Sequence, residues 1–265
     1  MTIKDSHKCN LMSLDLIADY YGVDYSKLKS YYEELQADKK FLKALNKKIK
    51  NCRNLYPKGL FLRRNINSVD WFGNQRVALY VLIKLLKPTV CVETGVFYGG
   101  TTAFILNALK KNKKGRLISI DLQDNKLLRT YFHRHEKVGD SEIIPKGLKT
   151  GFLVPEYLKD RWDFIEGDSL KVLKKIKRGF TFFCHDSEHS HDFILKELEL
   201  AKSKMPKNGT IFADDIHWSN GFFEFCVRHK LYPLFLTDNG KYSLKARLAL
   251  VRFDHPNNGK KDVTG

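Results

Sequence analysis

The chain has 265 residues, 43% of them apolar, enough to bury a full-sized core and near the upper end for one α/β domain. Lysine and arginine outnumber the acids 47 to 30, for a formal charge of +17. Yet the lysines are spread over "KKFLKALNKKIKN", "LKKNKKGR" and "LKKIKRG", each beside a helical pattern, which favours a solvated basic surface over a specific nucleic-acid groove. Five cysteines without a C-x-x-C pair exclude a disulfide scaffold and point to reducing surroundings. The N-terminus is too polar for a signal peptide and no run approaches 18 apolar residues, so a soluble cytoplasmic protein without a membrane partner is expected.

From Cys9 to about Asn74 apolar residues recur at spacings of three and four, and residues 1–70 read as a helical N-terminal extension with Gly22 and Asn51 as breaks. A lid over a site, a contact in a homo-oligomer and plain packing against the core are all open to it. "YPKGLFLRRNINSVDW" reads as an irregular crossing, and "GNQRVALYVLIKLLKP" as a helix stopped by Pro88. The pattern then changes to strand "TVCVETG", helix "TTAFILNALKK" and strand "RLISIDL", the unit of a parallel sheet. Residues 123–157 interrupt both periodicities and read as a helix plus an excursion over the sheet's ligand edge.

The alternation resumes with "RWDFIEGDS", "LKVLKKIKR", "FTFFCHD", "DFILKELELAKSKM" and "TIFADD". A helix around "GFFEFCVRHK" and two closely spaced runs, "LYPLFLTDN" and "RLALVRFD", complete it, the last two forming an antiparallel edge pair. The expected fold is a Rossmann-like α/β domain over 71–255, with a seven-stranded, mostly parallel sheet and an antiparallel C-terminal edge strand. Residues 256–265 form a polar tail.

The chemistry gathers at strand ends. In "VETGVFYGGTT", Gly95, Gly99 and Gly100 permit close backbone approach before a helix N-terminus, at a spacing that is not the G-x-G-x-x-G fingerprint. Asp121 closes the next strand, where a carboxylate accepts ribose hydroxyls, and "EGDS" puts Asp168 and Ser169 at the following one, although either is equally a helix cap. "FFCHDSEHSHDF" brings Asp186 to the ligand edge and "TIFADD" brings Asp214 and Asp215. Three carboxylates there must be wet, partly protonated, hydrogen-bonded or joined by a cation. His189 and His191 are either functional or surface residues of a helix start, and His185 faces the other side of its strand. Trp218, Asn220 and Phe222 line a substrate wall or simply pack.

This ordered set of strand ends, from Phe72 to Asp254, resembles the class I S-adenosylmethionine-dependent methyltransferases, and in its E-T-G the small O-methyltransferase-like group. The resemblance implies that Glu93, Gly95 and Gly99 cradle the methionine part of S-adenosyl-L-methionine, that Asp121 binds the ribose, and that Asp168, with Ser169, approaches the adenine. The catechol-type members further imply that Asp186, Asp214 and Asp215 hold Mg²⁺ or another divalent cation. Where those members carry a lysine base, this chain has His189, in D-x-x-H, with His217 as the second candidate. The implied reaction is methyl transfer to a hydroxyl of a small molecule, a sugar or secondary-metabolite precursor. A non-catalytic binding member of the fold is one alternative. A nucleic-acid methyltransferase is the other, disfavoured because no N-P-P-Y type of loop is present.

Overall fold

The computed structural model describes residues 3–52, 67–122, 144, 147–177, 179–237 and 246–260. Three helices come first, α1 (Ile3–Tyr21), α2 (Tyr25–Gln36) and α3 (Lys39–Cys52). They are followed by a 3₁₀ turn at Val69–Phe72 and α4 (Asn74–Leu86). Asp24 caps α2 by accepting from the Ser26 N–H, and Lys87, left-handed at φ 48°, ends α4 one residue before Pro88. The alternating part then runs β1 (Val90–Thr94), α5 (Gly100–Lys111), β2 (Arg116–Asp121), β3 (Trp162–Glu166), α6 (Ser169–Lys175), β4 (Phe182–His185), α7 (His191–Ser203), β5 (Thr210–Ala213), α8 (Gly221–Arg228), β6 (Leu234–Leu236) and β7 (Leu248–Arg252).

The seven strands form one sheet in the order β3-β2-β1-β4-β5-β7-β6. All neighbours pair in parallel except β7, which lies antiparallel between β5 and β6. The expected antiparallel pair is therefore present, with β7 inserted inside and β6 left as the edge. The excursion expected over 123–157 lies outside the described residues for 123–143 and 145–146, as do the crossing at 53–66 and the turn at 238–245.

Side chains alternate between two apolar layers, as a sheet covered on both faces requires. Cys91, Leu117, Phe182, Cys184 and Phe212 pack on one side with α1 to α5. Val92, Ile120, Phe183, Ile211 and Val251 pack on the other with α7 and α8. Leu14 and Ile17 of α1, Tyr32 of α2 and Phe41 of α3 are buried in the same core as Phe104 of α5, so the N-terminal helices share the sheet's core. A buried carboxylate pins them: Asp70 accepts from Asn10 Nδ2 at 2.7 Å, from Ser68 Oγ at 2.9 Å and from the Tyr32 hydroxyl. Cys9, Cys91, Cys184 and Cys226 are buried free thiols. Among the described residues no helix is long and apolar enough to cross a membrane.

The chain leaves β1 toward β2 and β3 on one side and returns through β4 and β5 on the other. This puts a topological switch point between the carboxyl ends of β1 and β4, where open parallel sheets bind ligands.

Candidate active site

At that switch point the backbones of two strand ends touch. Gly95 has φ +80°, and a Cβ there would lie 1.7 Å from the carbonyl oxygen of Asp186, so only glycine lets β1 turn this closely past β4. Gly95 N–H donates to Ile120 O at 2.9 Å and Asp186 N–H to Thr94 O at 2.9 Å, carrying the ladder one residue past the end of each strand. Gly99, at φ +82°, faces Gly151, whose Cα would sit 2.7 Å from an added Cβ. Residues 151–153 lie along the turn through Gly151 N–H to Phe97 O at 2.8 Å and Leu153 N–H to Tyr98 O at 2.9 Å.

Asp121 holds the turn open from the end of β2. Its Oδ2 accepts from the Val96 and Phe97 N–H groups, both at 2.7 Å, and its Oδ1 from Leu122 N–H at 2.6 Å. Burial raises its carboxyl above the usual range, and the three N–H groups pull the other way. Glu93 is fully buried: its Oε2 accepts from Thr102 Oγ1 at 2.8 Å and Ser119 Oγ at 2.6 Å, while Oε1 is buried without a hydrogen-bond partner. Burial pushes its carboxyl up to about 7 against those two bonds.

Asp168 caps α6, accepting from Lys171 N–H at 3.0 Å, and Ser169 donates its hydroxyl to Glu197. Glu197, on α7, is a residue that strand-end patterning misses. With none of its surface exposed, it also accepts from Thr94 Oγ1 at 2.8 Å, from His185 Nδ1 at 2.5 Å and from Ser187 Oγ at 3.1 Å. Burial works to raise its carboxyl, but the His185 charge and these donors hold it below the usual glutamate range. One carboxylate thus ties β1, α6 and β4 together beneath the site. Its signal in the sequence was a charge in the apolar stripe Ile194, Leu198, Ala201 of α7, where a buried acid has to have partners.

The acids of β4 and β5 do converge, but not as three equals. Gln75, in the first turn of α4, donates its Nε2 to Asp214 Oδ2 at 2.7 Å and to Asp186 Oδ2 at 3.3 Å. Asp214 Oδ1 accepts from the Asp215 N–H at 2.7 Å. Asp215 sits in the left-handed region, φ 49°, and its Oδ1 is held by Nε of Arg247 at 3.0 Å and by Nη2 of the same guanidinium. Burial, and then the charge of Asp215, push the Asp186 carboxyl up to about 8.

As they stand, Asp186, Asp214 and Asp215, the set expected to hold a divalent cation, are met by donors from the chain itself. One member is committed to a guanidinium, the other two share an amide donor, and no group of three metal-binding side chains is gathered among the described residues. Neither Gln75 nor Arg247 carries a motif that a sequence reading could have used.

His189 stands beside this set. Its ring meets the His185 ring edge to face, centroids 5.4 Å apart, and its Nδ1 is buried without a hydrogen-bond partner. Burial, and then His185, lower its pKa to about 4, so the imidazole is neutral near pH 7. His217 is exposed, with Nδ1 3.7 Å from Asp215 Oδ1. His191 lies in the first turn of α7 and pairs with Asp192 at 2.9 Å and Glu224 at 2.8 Å, the helix-start reading of that residue. Phe222 is fully buried packing, whereas Trp218 is 53% exposed.

Comparison with known proteins agrees with this fold. Residues 92–216 match the family described as "Methyltransferase domain". No curated protein matches the sequence. Among solved structures, the chain is similar to an S-adenosylhomocysteine-bound methyltransferase from Podospora anserina, with a TM-score of 0.50 at 14% identity, covering 86% of this chain and 94% of that one. It is similar also to an O-methyltransferase from Bacillus cereus in complex with S-adenosylhomocysteine, at 0.52 and 14%, covering 83% and 99%. A third is the O-methyltransferase TomG from Streptomyces achromogenes, involved in tomaymycin synthesis and bound to S-adenosylmethionine, at 0.50 and 15%, covering 79% and 88%. Over residues 92–216 the chain is similar to that domain, and it shares the fold of these solved methyltransferases.

Proposed function

We propose that this chain transfers the methyl group of S-adenosyl-L-methionine to a hydroxyl of a small molecule, with His189 as the proton acceptor. The observation that carries the reading is the glycine turn at the switch point, braced by Asp121, with Asp186 packed against it and His189 against His185 of the same strand end. The solved O-methyltransferases of the same fold support the hydroxyl as acceptor.

The cofactor supplies an electrophilic methyl on sulfur, so the chain's task is mainly alignment and removal of one proton. In this reading the methionine part lies along the turn from Gly95 to Gly100, with Glu93 behind it tying β1 to Thr102 and Ser119. Asp121 faces the ribose with the acceptor capacity left over from the turn, and the segment after β3, with Asp168 and Ser169, borders the adenine. Asp186 and Asp214 orient the acceptor hydroxyl, and His189 takes its proton. A group with a pKa of about 4 is a weak base. Its use is that it is uncharged and ready near neutral pH, while the reactivity of the sulfonium does most of the work.

The test is formation of S-adenosylhomocysteine by the purified full chain across a panel of hydroxylated small molecules. His189→Ala should reduce turnover by roughly 10²- to 10⁴-fold while leaving cofactor affinity near the parent's. No acceptor-dependent product from any hydroxyl compound would remove the reading, and unchanged turnover in His189→Ala would remove the base.

A further inference from the structure

We propose that the acids at the ends of β4 and β5 work without a divalent cation, their charge being met from inside the chain by the Gln75 amide and the Arg247 guanidinium. They then engage an acceptor through a single hydroxyl and not through two adjacent ones. The inference rests on the methyl-transfer reading for its second half only.

Three observations carry it. First, the Asp215 carboxylate is already neutralised: two nitrogens of Arg247 converge on Oδ1, a charge-assisted pair among the strongest available to a carboxylate, and His217 Nδ1 is 3.7 Å from the same oxygen. A cation on that oxygen would have to displace the guanidinium and leave a charged group in a partly buried place without its partner.

Second, the orientation of Gln75 is fixed by its neighbours. Its one amide nitrogen lies within hydrogen-bond distance of both Asp186 and Asp214, and the reverse orientation would set an oxygen against two acids. A cation between these two Oδ2 atoms would sit against the amide nitrogen, so the amide would have to turn its oxygen inward or move away. Third, Gln75 is a buried residue of α4 and Arg247 immediately precedes β7, so both donors are placed by elements of the fold.

The consequence concerns the acceptor. A metal ion gathers two neighbouring oxygens into its coordination shell, which is what makes vicinal diols preferred acceptors where one is present. Side-chain carboxylates and one amide offer separate hydrogen bonds, each satisfied by one hydroxyl. Mono-hydroxylated compounds should therefore be accepted as readily as their vicinal diol counterparts.

The deciding experiment titrates the full chain with Mn²⁺ by calorimetry, without cofactor or acceptor. The parent is expected to have no site with a dissociation constant below about 1 mM. R247M/Q75E, which frees Asp215 and adds a fourth carboxylate, is expected to gain one site at least about tenfold tighter than any in the parent. If the double variant does not fold, Q75E alone carries the comparison. Uptake of one Mn²⁺ by the parent below that limit, lost in D186N, overturns the proposal. In a second arm, turnover of mono-hydroxyl and vicinal diol acceptors is compared in excess chelator and in Mg²⁺. Equal rates are expected, and a diol preference that appears only with Mg²⁺ overturns the acceptor claim. Should no acceptor be methylated at all, the methyl-transfer reading fails while the metal titration still decides the first half.

Discussion

Asp121 is the residue whose loss should separate the cofactor site from the rest of the domain. Its carboxylate already accepts three backbone N–H groups, at 2.7, 2.7 and 2.6 Å, and a carboxylate has about four acceptor positions. Capacity for roughly one strong bond to a ribose hydroxyl remains. A hydrogen bond to a charged group contributes about 1.5–3 kcal/mol, so Asp121→Ala should weaken S-adenosylhomocysteine binding by roughly tenfold to 150-fold. The Val96 and Phe97 N–H groups also lose their acceptor, which loosens the turn and adds to the loss. Asp121→Asn keeps one oxygen for Val96 and Phe97 but sets an amide N–H₂ against Leu122 N–H, and should fall between parent and alanine variant. Calorimetric titration of the three proteins, with a urea transition on each to establish that it is folded, gives the comparison. An alanine variant that is folded and binds with the parent's affinity would refute the assignment of the ribose to Asp121.

Other outcomes follow from the same geometry. Gly95→Ala puts a Cβ 1.7 Å from the Asp186 carbonyl at a φ of +80°, so the ends of β1 and β4 must separate at a cost of roughly 2–4 kcal/mol. A urea midpoint equal to the parent's would show that the two strand ends are not in contact. Asp186, pushed up to about 8, retains in the native state a proton that the unfolded chain has already released, so it lowers stability as pH rises toward 8. Glu93, at about 7, acts in the same direction, whereas His189, at about 4, acts in the opposite direction but only below its ordinary value of 6.5. Urea stability should therefore fall between pH 6.5 and 8, and Asp186→Asn should flatten the slope; a variant with the parent's slope would contradict the buried acid.

The order of elements was legible because alternation between period two and helical period is local, and because glycines and strand-closing acids mark the sheet's ligand edge directly. Asp121, Asp186, Asp214 and Asp215 all stand at strand ends, where the sequence puts them. What each carboxylate touches was not legible. Gln75 meets Asp214 across 139 positions of chain, and Arg247 meets Asp215 across 32, and nothing in the spacing of either residue marks its partner. Glu197 was half legible, since an acid on an apolar helix stripe demands buried donors, but the identity of those donors, Thr94, Ser169, His185 and Ser187, comes only from the packing of α7 beneath three strand ends. The same holds for the three adjacent acids: their proximity is readable, and the counter-charges that reach them from distant elements are not.

The central claim is that the transferred methyl ends on oxygen. Incubating the full chain with S-adenosylmethionine labelled with ¹³C at the methyl, together with a hydroxylated acceptor found in the screen, and recording the product by carbon NMR tests it directly. The account predicts a labelled methoxy carbon formed in step with S-adenosylhomocysteine and lost with Asp121→Ala at low cofactor concentration. A label found on nitrogen or carbon of the acceptor, or no transfer despite cofactor binding, would contradict it.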